Sequence, residues 1–258
     1  MITPMAKTIC FANQKGGVGK TTSTLNIGAA LAGRGYRVLL VDCDQQASLT
    51  VSLGINPLEL EKSMRALLVE AKTRADQIIS RTDETGLDLI PASIDLAFAE
   101  LHMPPLAREK VLADKLGPIK DSYDFILIDT SPSYGTLVVN ALAASDYLLT
   151  PVQPEPLCIF GLNLLVENLQ EVKSRVHPEL KMLGFFVTLY DKSEAAHVQL
   201  TEKLKEDWGK LVFKQIVRDS SLNDRSVIES RPIVLSRPRS LLAQDYQALT
   251  DEVLNRVQ

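Results

Sequence analysis

Cysteine and histidine are scarce in this chain, and the patterns they fail to form exclude whole classes of chemistry. The three cysteines, Cys10, Cys43 and Cys158, lie far apart in apolar surroundings without the spacing of a zinc or redox pair, and read as buried thiols. The three histidines, His102, His177 and His197, form no metal-ligand spacing and read as surface or packing residues. No uninterrupted apolar stretch approaches the roughly 18 to 20 residues of a membrane span. Met1 to Lys7 lacks the apolar core of a signal peptide, so the expected location is the cytosol. Internal repeats, low-complexity tracts and Gly/Ser linkers are missing too, and nothing marks a domain boundary. What remains is 258 residues, 45% apolar and 23% charged, enough to bury a sizeable core; a single α/β domain over 1–258 is expected.

Charge of one sign is not dominant either. The formal net charge of −4 argues against a wholly basic nucleic-acid binder. Its distribution is uneven, because Lys203 to Arg239 holds nine Lys/Arg against five acids, +4 locally against −8 elsewhere. Such an interval makes either a positive face that attracts a polyanion or a set of solvated helix charges, and composition does not choose between them.

What is present is concentrated between an apolar run, Thr8 to Ala12, and a helix-like stretch. The joining segment Phe11-Ala12-Asn13-Gln14-Lys15-Gly16-Gly17-Val18-Gly19-Lys20-Thr21-Thr22 has the layout of a phosphate-binding loop. Small glycines let backbone N–H groups turn toward phosphate oxygens, and the helix offers its positive end. Lys20 reaches the β/γ-phosphates and the Thr21 hydroxyl ligates Mg²⁺. The chain is therefore expected to bind a nucleoside triphosphate through Lys15 to Thr22. The general pattern places glycine five residues before Gly19, where this chain has Gln14 followed by an extra lysine, Lys15.

The rest of the chain alternates in type. Strands are expected at Thr8–Ala12, Arg37–Val41, Leu87–Ile90, Asp124–Ile128, Tyr147–Thr150, Leu183–Leu189 and Leu211–Phe213. Helices are expected at Lys20–Arg34, 61–80, in two pieces of Leu96–Leu116 split by Pro104-Pro105, and at Gly135–Ala144, Gly161–Arg175, Glu194–Asp207 and Leu241–Val257. Pro151–Pro156 and Pro232–Pro238 read as shaped loops. Near-continuous apolar strands separated by helices predict a doubly wound, mostly parallel sheet with helices on both faces.

Carboxylates stand where such a sheet places ligand-contacting groups. Asp129 ends the apolar run Phe125-Ile126-Leu127-Ile128 and matches a Walker B aspartate that holds Mg²⁺ directly or through water; its alternative is a strand-end cap. Asp42 and Asp44 lie two apart at the end of another strand and face one side if the strand continues through them; either could instead be a surface carboxylate near a turn. Thr130-Ser131-Pro132-Ser133 is either a loop that senses the γ-phosphate or a plain strand-to-helix turn.

The string Lys-Gly-Gly-Val-Gly-Lys-Thr-Thr resembles the deviant Walker A loop of the ParA/MinD ATPases. The likeness extends through 38–46, 89–93, 125–132, 151–155 and 240–253, which look like ParA/Soj segments in the family's order. The resemblance implies a P-loop ATPase that forms an ATP-dependent sandwich homodimer and binds nonspecific double-stranded DNA. A ParB-like partner would stimulate its hydrolysis, partitioning chromosome, plasmid or protein cargo over the nucleoid in the cytoplasm. It implies that Lys15 serves the neighbouring subunit's nucleotide; the alternative is an ordinary solvated lysine. It gives Asp44 the attacking water and Asp42 a part in the Mg²⁺ shell beside Thr21 and Asp129. Adenine is expected against Ile216-Val217-Arg218-Asp219, where Val217 and Asp219 replace the family's proline and asparagine, and aspartate offers no amide donor. Lys210, Lys214, Arg218, Arg231, Arg237 and Arg239 become candidates for DNA phosphates, with a steep salt dependence. The helix-turn-helix extension of some plasmid partition ATPases is expected to be missing.

Other classes share the loop. A MinD-like membrane-associated positioning ATPase needs an amphipathic, usually basic C-terminal anchor, whereas Asp245 to Gln258 carries Asp245, Asp251 and Glu252 against Arg256; membrane association is not expected. A reductase resembling the nitrogenase iron protein needs cluster cysteines that Cys10, Cys43 and Cys158 do not supply. A metabolic kinase or adenylating enzyme lacks any acceptor motif here.

Overall fold

Five apolar runs pair edge to edge to make the middle of the molecule. The computed structural model describes residues 5–82, 84, 86–103 and 108–257, with the side chains of 157–160 and 224 left aside. The strands are β1 (Lys7–Phe11), β2 (Val38–Cys43), β3 (Ser80–Arg81), β4 (Leu87–Ile90), β5 (Phe125–Thr130), β6 (Tyr147–Val152) and β7 (Lys181–Val187). The helices are α1 (Lys20–Ala32), α2 (Ser48–Val51), α3 (Met64–Val69), α4 (Ala99–His102), α5 (Val111–Leu116), α6 (Thr136–Ala143), α7 (Pro156–Arg175), α8 (Ala195–Trp208), α9 (Leu222–Ile228), α10 (Ile233–Ser236) and α11 (Leu241–Arg256). The strand order is β3-β4-β2-β5-β1-β6-β7, parallel except for the short edge strand β3.

Alternation along the strands divides the core in two. Ile9, Phe11, Val38, Leu40 and Leu127 turn to one face, against α1, α10 and α11. Cys10, Leu39, Val41, Ile126 and Ile128 turn to the other, against α3 and α5 to α8. This is the doubly wound arrangement that the near-continuous apolar strands predict. It places the carboxyl ends of β1, β2 and β5 side by side, with β6 on the far side of β1, at the point where the winding direction reverses.

One glycine is fixed by packing alone. A Cβ on Gly28, in α1, would lie 2.6 Å from Leu40 Cδ2 in the fully buried second strand. Gly28→Ala is expected to destabilise the fold by about 1–3 kcal/mol despite alanine's better helix propensity. Urea unfolding measures this, and an unchanged or raised midpoint would mean that Leu40 moves aside freely.

Some expected elements differ. The helix expected over 61–80 is α3 alone, followed by a 3₁₀ turn at Ala75–Gln77 and by β3. The Lys115 ammonium donates to the carbonyls of Glu70, Ala71 and Thr73, drawing the chain out of the helix just past α3. Leu211–Phe213 is the end of a 3₁₀ turn with one bridge, Val212 to Phe185, rather than a strand. Within the expected loop Pro232–Pro238 lies α10, held by the Val234 N–H donating to Asn26 Oδ1. Pro151 belongs to β6, beyond the last β1 residue paired with it, so its missing N–H breaks no bond to β1. The expected break at Pro104-Pro105 lies outside the described residues.

Candidate nucleotide site

The loop after β1 is pinned before it reaches any ligand. Asn13 donates from Nδ2 to the Pro151 carbonyl (2.8 Å) and accepts the Lys15 N–H at Oδ1 (2.9 Å), tying the loop's start to β6. Gly17 and Gly19 take φ of 74° and 81°, the left-handed region that glycine enters without strain, and Gly19 hands the chain into α1. The Thr188 hydroxyl donates to the carbonyl of buried Val18 (2.8 Å), so Val18 offers only backbone to a ligand.

Lys20 and Thr21 open α1, and each meets what the sequence places near it. Lys20 is buried and donates to the Lys15 carbonyl at 3.2 Å. Burial lowers its pKa, opposed by the charges of Asp129 and Asp44. The Thr21 hydroxyl donates to Asp129 Oδ2 at 2.6 Å, while Asp129 Oδ1 is buried with no hydrogen-bond partner among the described residues. Burial first, and Asp42 second, raise the Asp129 pKa well above the usual carboxylate range. Two hard oxygens with one lone-pair face left open fit a magnesium ion's preference. Thr21 and Asp129 are therefore the residues that would hold one.

The two aspartates of the second strand part company. β2 ends at Cys43, so Asp44 starts a turn instead of continuing the pleat. Asp44 lines the cleft and its Oδ1 accepts the Gln46 N–H at 2.9 Å. Asp42 is fully buried, and its carboxylate accepts from the Thr50 N–H (2.8 Å), the Thr50 hydroxyl (2.7 Å) and the Asp44 N–H (3.2 Å). Asp44 lines the cleft and Asp42 does not: Asp42 ties β2 to α2 and presses its charge on Asp129, so of the expected metal residues Thr21 and Asp129 are the ones that could hold an ion directly. Burial, against the bonds from Thr50 and Asp44, raises the Asp42 pKa to about 6. Between Asp44 and α2, Ala47 takes a φ of 51°, a strained conformation for alanine at the site's edge.

Lys20, Thr21 and Asp44 line one cleft of about 900 Å³, with Asp129 buried behind Thr21. The phosphate-loop residues Gly16, Gly17, Gly19, Lys20, Thr21 and Thr22 line it together with Val217, Arg218, Asp219, Asn223 and Tyr246 of α11. Val217 and Asp219 thus share one cleft with the phosphate loop. Pro132 touches the cleft, whereas the Thr130 hydroxyl turns back to the Phe11 carbonyl. Lys15 is half-buried beside the cleft, its ammonium donating to Glu155 Oε2 (2.6 Å) and Gln153 Oε1 (3.1 Å) after β6.

Apart from Arg231, the DNA candidates are spread along α11. Arg237 and Arg239 precede its first turn, and the Arg218 guanidinium binds the Asp245 carboxylate twice (2.6 and 2.9 Å). The Lys210 carbonyl and the Lys214 N–H meet Arg256 and Glu252 at its last turns, about 18 Å further on at 1.5 Å per residue. Arg231 pairs with Glu84 (3.0 Å) and Arg237 with Glu229 (2.6 Å), so acids temper the positive charge read from composition.

Sequence reasoning passed over Asn13, Thr50, Thr188 and the pair Gln153/Glu155. Asn13 sits beside the loop and was visible; the others act from eight to about 170 residues away from their partners and carry no local pattern. Cys10 and Cys43 are buried thiols as expected, their pKa values raised by burial, and the side chain of Cys158 lies outside the described residues. His102 is exposed, His177 half-buried and His197 buried.

A glycine loop feeding a helix N-terminus beside a strand-end aspartate, in a parallel sheet of this order, defines a P-loop nucleoside triphosphatase. A family model described as an AAA domain matches residues 6–182. The chain is 39% identical over 250 residues to sporulation initiation inhibitor protein Soj of Bacillus subtilis, covering 96% of this chain and 98% of that one. It is 32% identical over 253 residues to chromosome partitioning protein ParA of Caulobacter vibrioides, covering 97% and 94%. A solved structure, cobyrinic acid a,c-diamide synthase from Mycobacterium smegmatis with bound ADP and magnesium, matches at a TM-score of 0.85 and 33% identity, covering 98% and 96%. The chain belongs to the ParA/Soj family of partition ATPases.

Proposed function

We propose that this chain is a Mg²⁺-dependent partition ATPase, slow on its own, whose two copies close face to face on ATP. The closed dimer holds double-stranded DNA without reading sequence, and hydrolysis prompted by a ParB-like protein releases it. Cycles of this kind would place a chromosome, plasmid or protein cargo along the nucleoid. The observation that carries the reading is Lys15, a second lysine beside a loop already supplied with Lys20.

Phosphoryl transfer needs position and charge neutralisation more than covalent help. Gly16 to Thr22 would cradle the phosphates, Lys20 would meet the β/γ oxygens, and Asp44 would orient the attacking water. Bound magnesium would neutralise phosphate charge from Thr21 and Asp129. Lys15 would leave Gln153 and Glu155 to meet the partner copy's nucleotide, so turnover would wait for dimerisation. The chain's magnesium and nucleotide reading draws support from the solved relative that holds ADP and magnesium.

Two other readings are weaker. Membrane anchoring through α11 is disfavoured because its apolar residues Leu242, Leu249 and Val253 pack into the core. Among the described residues no helix is long and apolar enough to cross a membrane. The relative named for diamide synthesis suggests ATP-driven small-molecule chemistry, which predicts turnover dependent on an organic acid and indifferent to DNA.

Sizing chromatography of Asp44→Ala tests the proposal. With ADP it is expected to run as a monomer, with ATP as a dimer, and with ATP and nonspecific DNA as a complex that persists because hydrolysis is slowed. Adding Arg237→Ala and Arg239→Ala should remove the DNA complex and spare the dimer. A monomer under every condition, or normal turnover by Asp44→Ala, would overturn the scheme.

A further inference from the structure

The lining of the cleft contains a side chain with an unpaired polar atom among the described residues. Asn223, near the start of α9, lines the same cleft as Lys20 and Thr21. Its Oδ1 is buried without a hydrogen-bond partner among the described residues, although the residue itself is only half-buried. A carboxamide carries two N–H donors and an acceptor oxygen, so both ends of the group can serve a ligand in the cleft. Buried carbonyl oxygens are normally paired, and an unpaired one beside a ligand cleft asks what pairs it. The terminal torsion of asparagine is soft, so the group can turn and present both ends without leaving its rotamer.

Resting on the reading of this cleft as a nucleoside triphosphate site, we propose that Asn223 selects adenine over guanine, supplying the carboxamide that Asp219 cannot. Adenine presents an amino donor beside a ring-nitrogen acceptor, a pair that a carboxamide meets with its oxygen and its amino group together. Guanine presents two adjacent acceptors, O6 and N7, on the corresponding edge and can take only the amino end. An ionised carboxylate accepts only. Asp219, which lines the cleft with one oxygen already accepting the Ser220 N–H at 2.8 Å, therefore meets adenine's amino group but repels its ring nitrogen. The same carboxylate suits the donor edge of guanine. Base choice in this chain is thus a contest between two neighbouring side chains, and Asn223 decides it.

The test is equilibrium binding of ATP, GTP and inorganic tripolyphosphate, each with Mg²⁺, to the parent chain, Asn223→Ala and Asn223→Asp. The parent is expected to prefer ATP to GTP. In Asn223→Ala the affinity for ATP should fall about 10-fold or more, that for GTP by less, since it loses one bond where ATP loses two, and that for tripolyphosphate should not change. In Asn223→Asp, two carboxylates should reverse the order of ATP and GTP. An ATP-to-GTP preference in Asn223→Ala equal to the parent's overturns the proposal, as does an equal loss of tripolyphosphate, which would show that the residue supports the fold. A parent that binds tripolyphosphate but neither nucleotide overturns the nucleotide reading itself, a result separable from the others.

Discussion

Lys15→Ala will bind Mg-ATP as the parent does and hydrolyse it on the order of 10³-fold more slowly, whereas Lys20→Ala will not bind it measurably. The two lysines are five residues apart, yet the structure gives them different surroundings. Lys20 opens α1, is buried, lines the cleft and shares the field of Asp129 and Asp44. Its removal leaves those carboxylates facing a polyphosphate with no cation from the loop's helix. Lys15 instead rests on Gln153 and Glu155. A cation delivered in trans to a phosphoryl-transfer site is worth about 10³–10⁵ in rate, which sets the size of the expected loss. The Lys15–Glu155 pair is itself a third to two-fifths exposed, so its loss changes stability by at most about 1 kcal/mol. Equilibrium nucleotide binding and steady-state phosphate release, read beside a melting curve, separate these effects. Should Lys15→Ala lose ATP affinity along with turnover, the lysine serves its own loop and the dimer scheme loses its chief support.

Much of this site was legible because its chemistry is local. The glycines, Lys20 and Thr21 occupy fixed positions on a strand-loop-helix unit, and Asp129 ends a run whose four apolar residues need burial on both faces. The same burial made β1, β2 and β5 readable to within a residue or two. What could not be read depends on partners distant in sequence. Asp42 and Asp44 look equivalent two residues apart, but Thr50 captures one of them and a turn at Cys43 releases the other. The helix expected over 61–80 has a suitable period, but Lys115 claims the carbonyls of Glu70, Ala71 and Thr73. α9 and α10 are too short for periodicity to reveal, and α10 is fixed in part by Asn26 on a helix some 200 residues earlier. The basic interval was read correctly as a count and incompletely as a surface, because Glu84, Glu229 and Asp245 come to meet its arginines.

Asp129→Asn will melt at a higher temperature than the parent in chelator and will gain almost nothing from Mg-ATP. The parent folds at the expense of placing Asp42 and Asp129 opposite one another on adjacent strands, both fully buried, with Lys20 as the nearby cation. Asparagine keeps the shape, can still accept from Thr21 and removes one of two like charges that burial already disfavours. The sign with pH follows from the raised carboxyl values. A folded pKa above the unfolded one means that the native state holds its proton longer, so native stability is greatest in acid and declines as pH rises through the folded value. For Asp42 that decline runs from near 4 to about 6, and Asp129 moves in the same direction. In chelator the advantage of Asp129→Asn should therefore grow as pH rises and shrink as pH falls toward 4. With Mg-ATP the order reverses, because the parent gains RT ln(1 + [L]/Kd) from a ligand the variant holds poorly. Differential scanning calorimetry in chelator and in Mg-ATP reads both halves. A variant less stable than the parent at pH 8 in chelator would mean that the Asp129 charge is compensated by Lys20 in the nucleotide-free protein, and that the site is not held under electrostatic tension awaiting a cation.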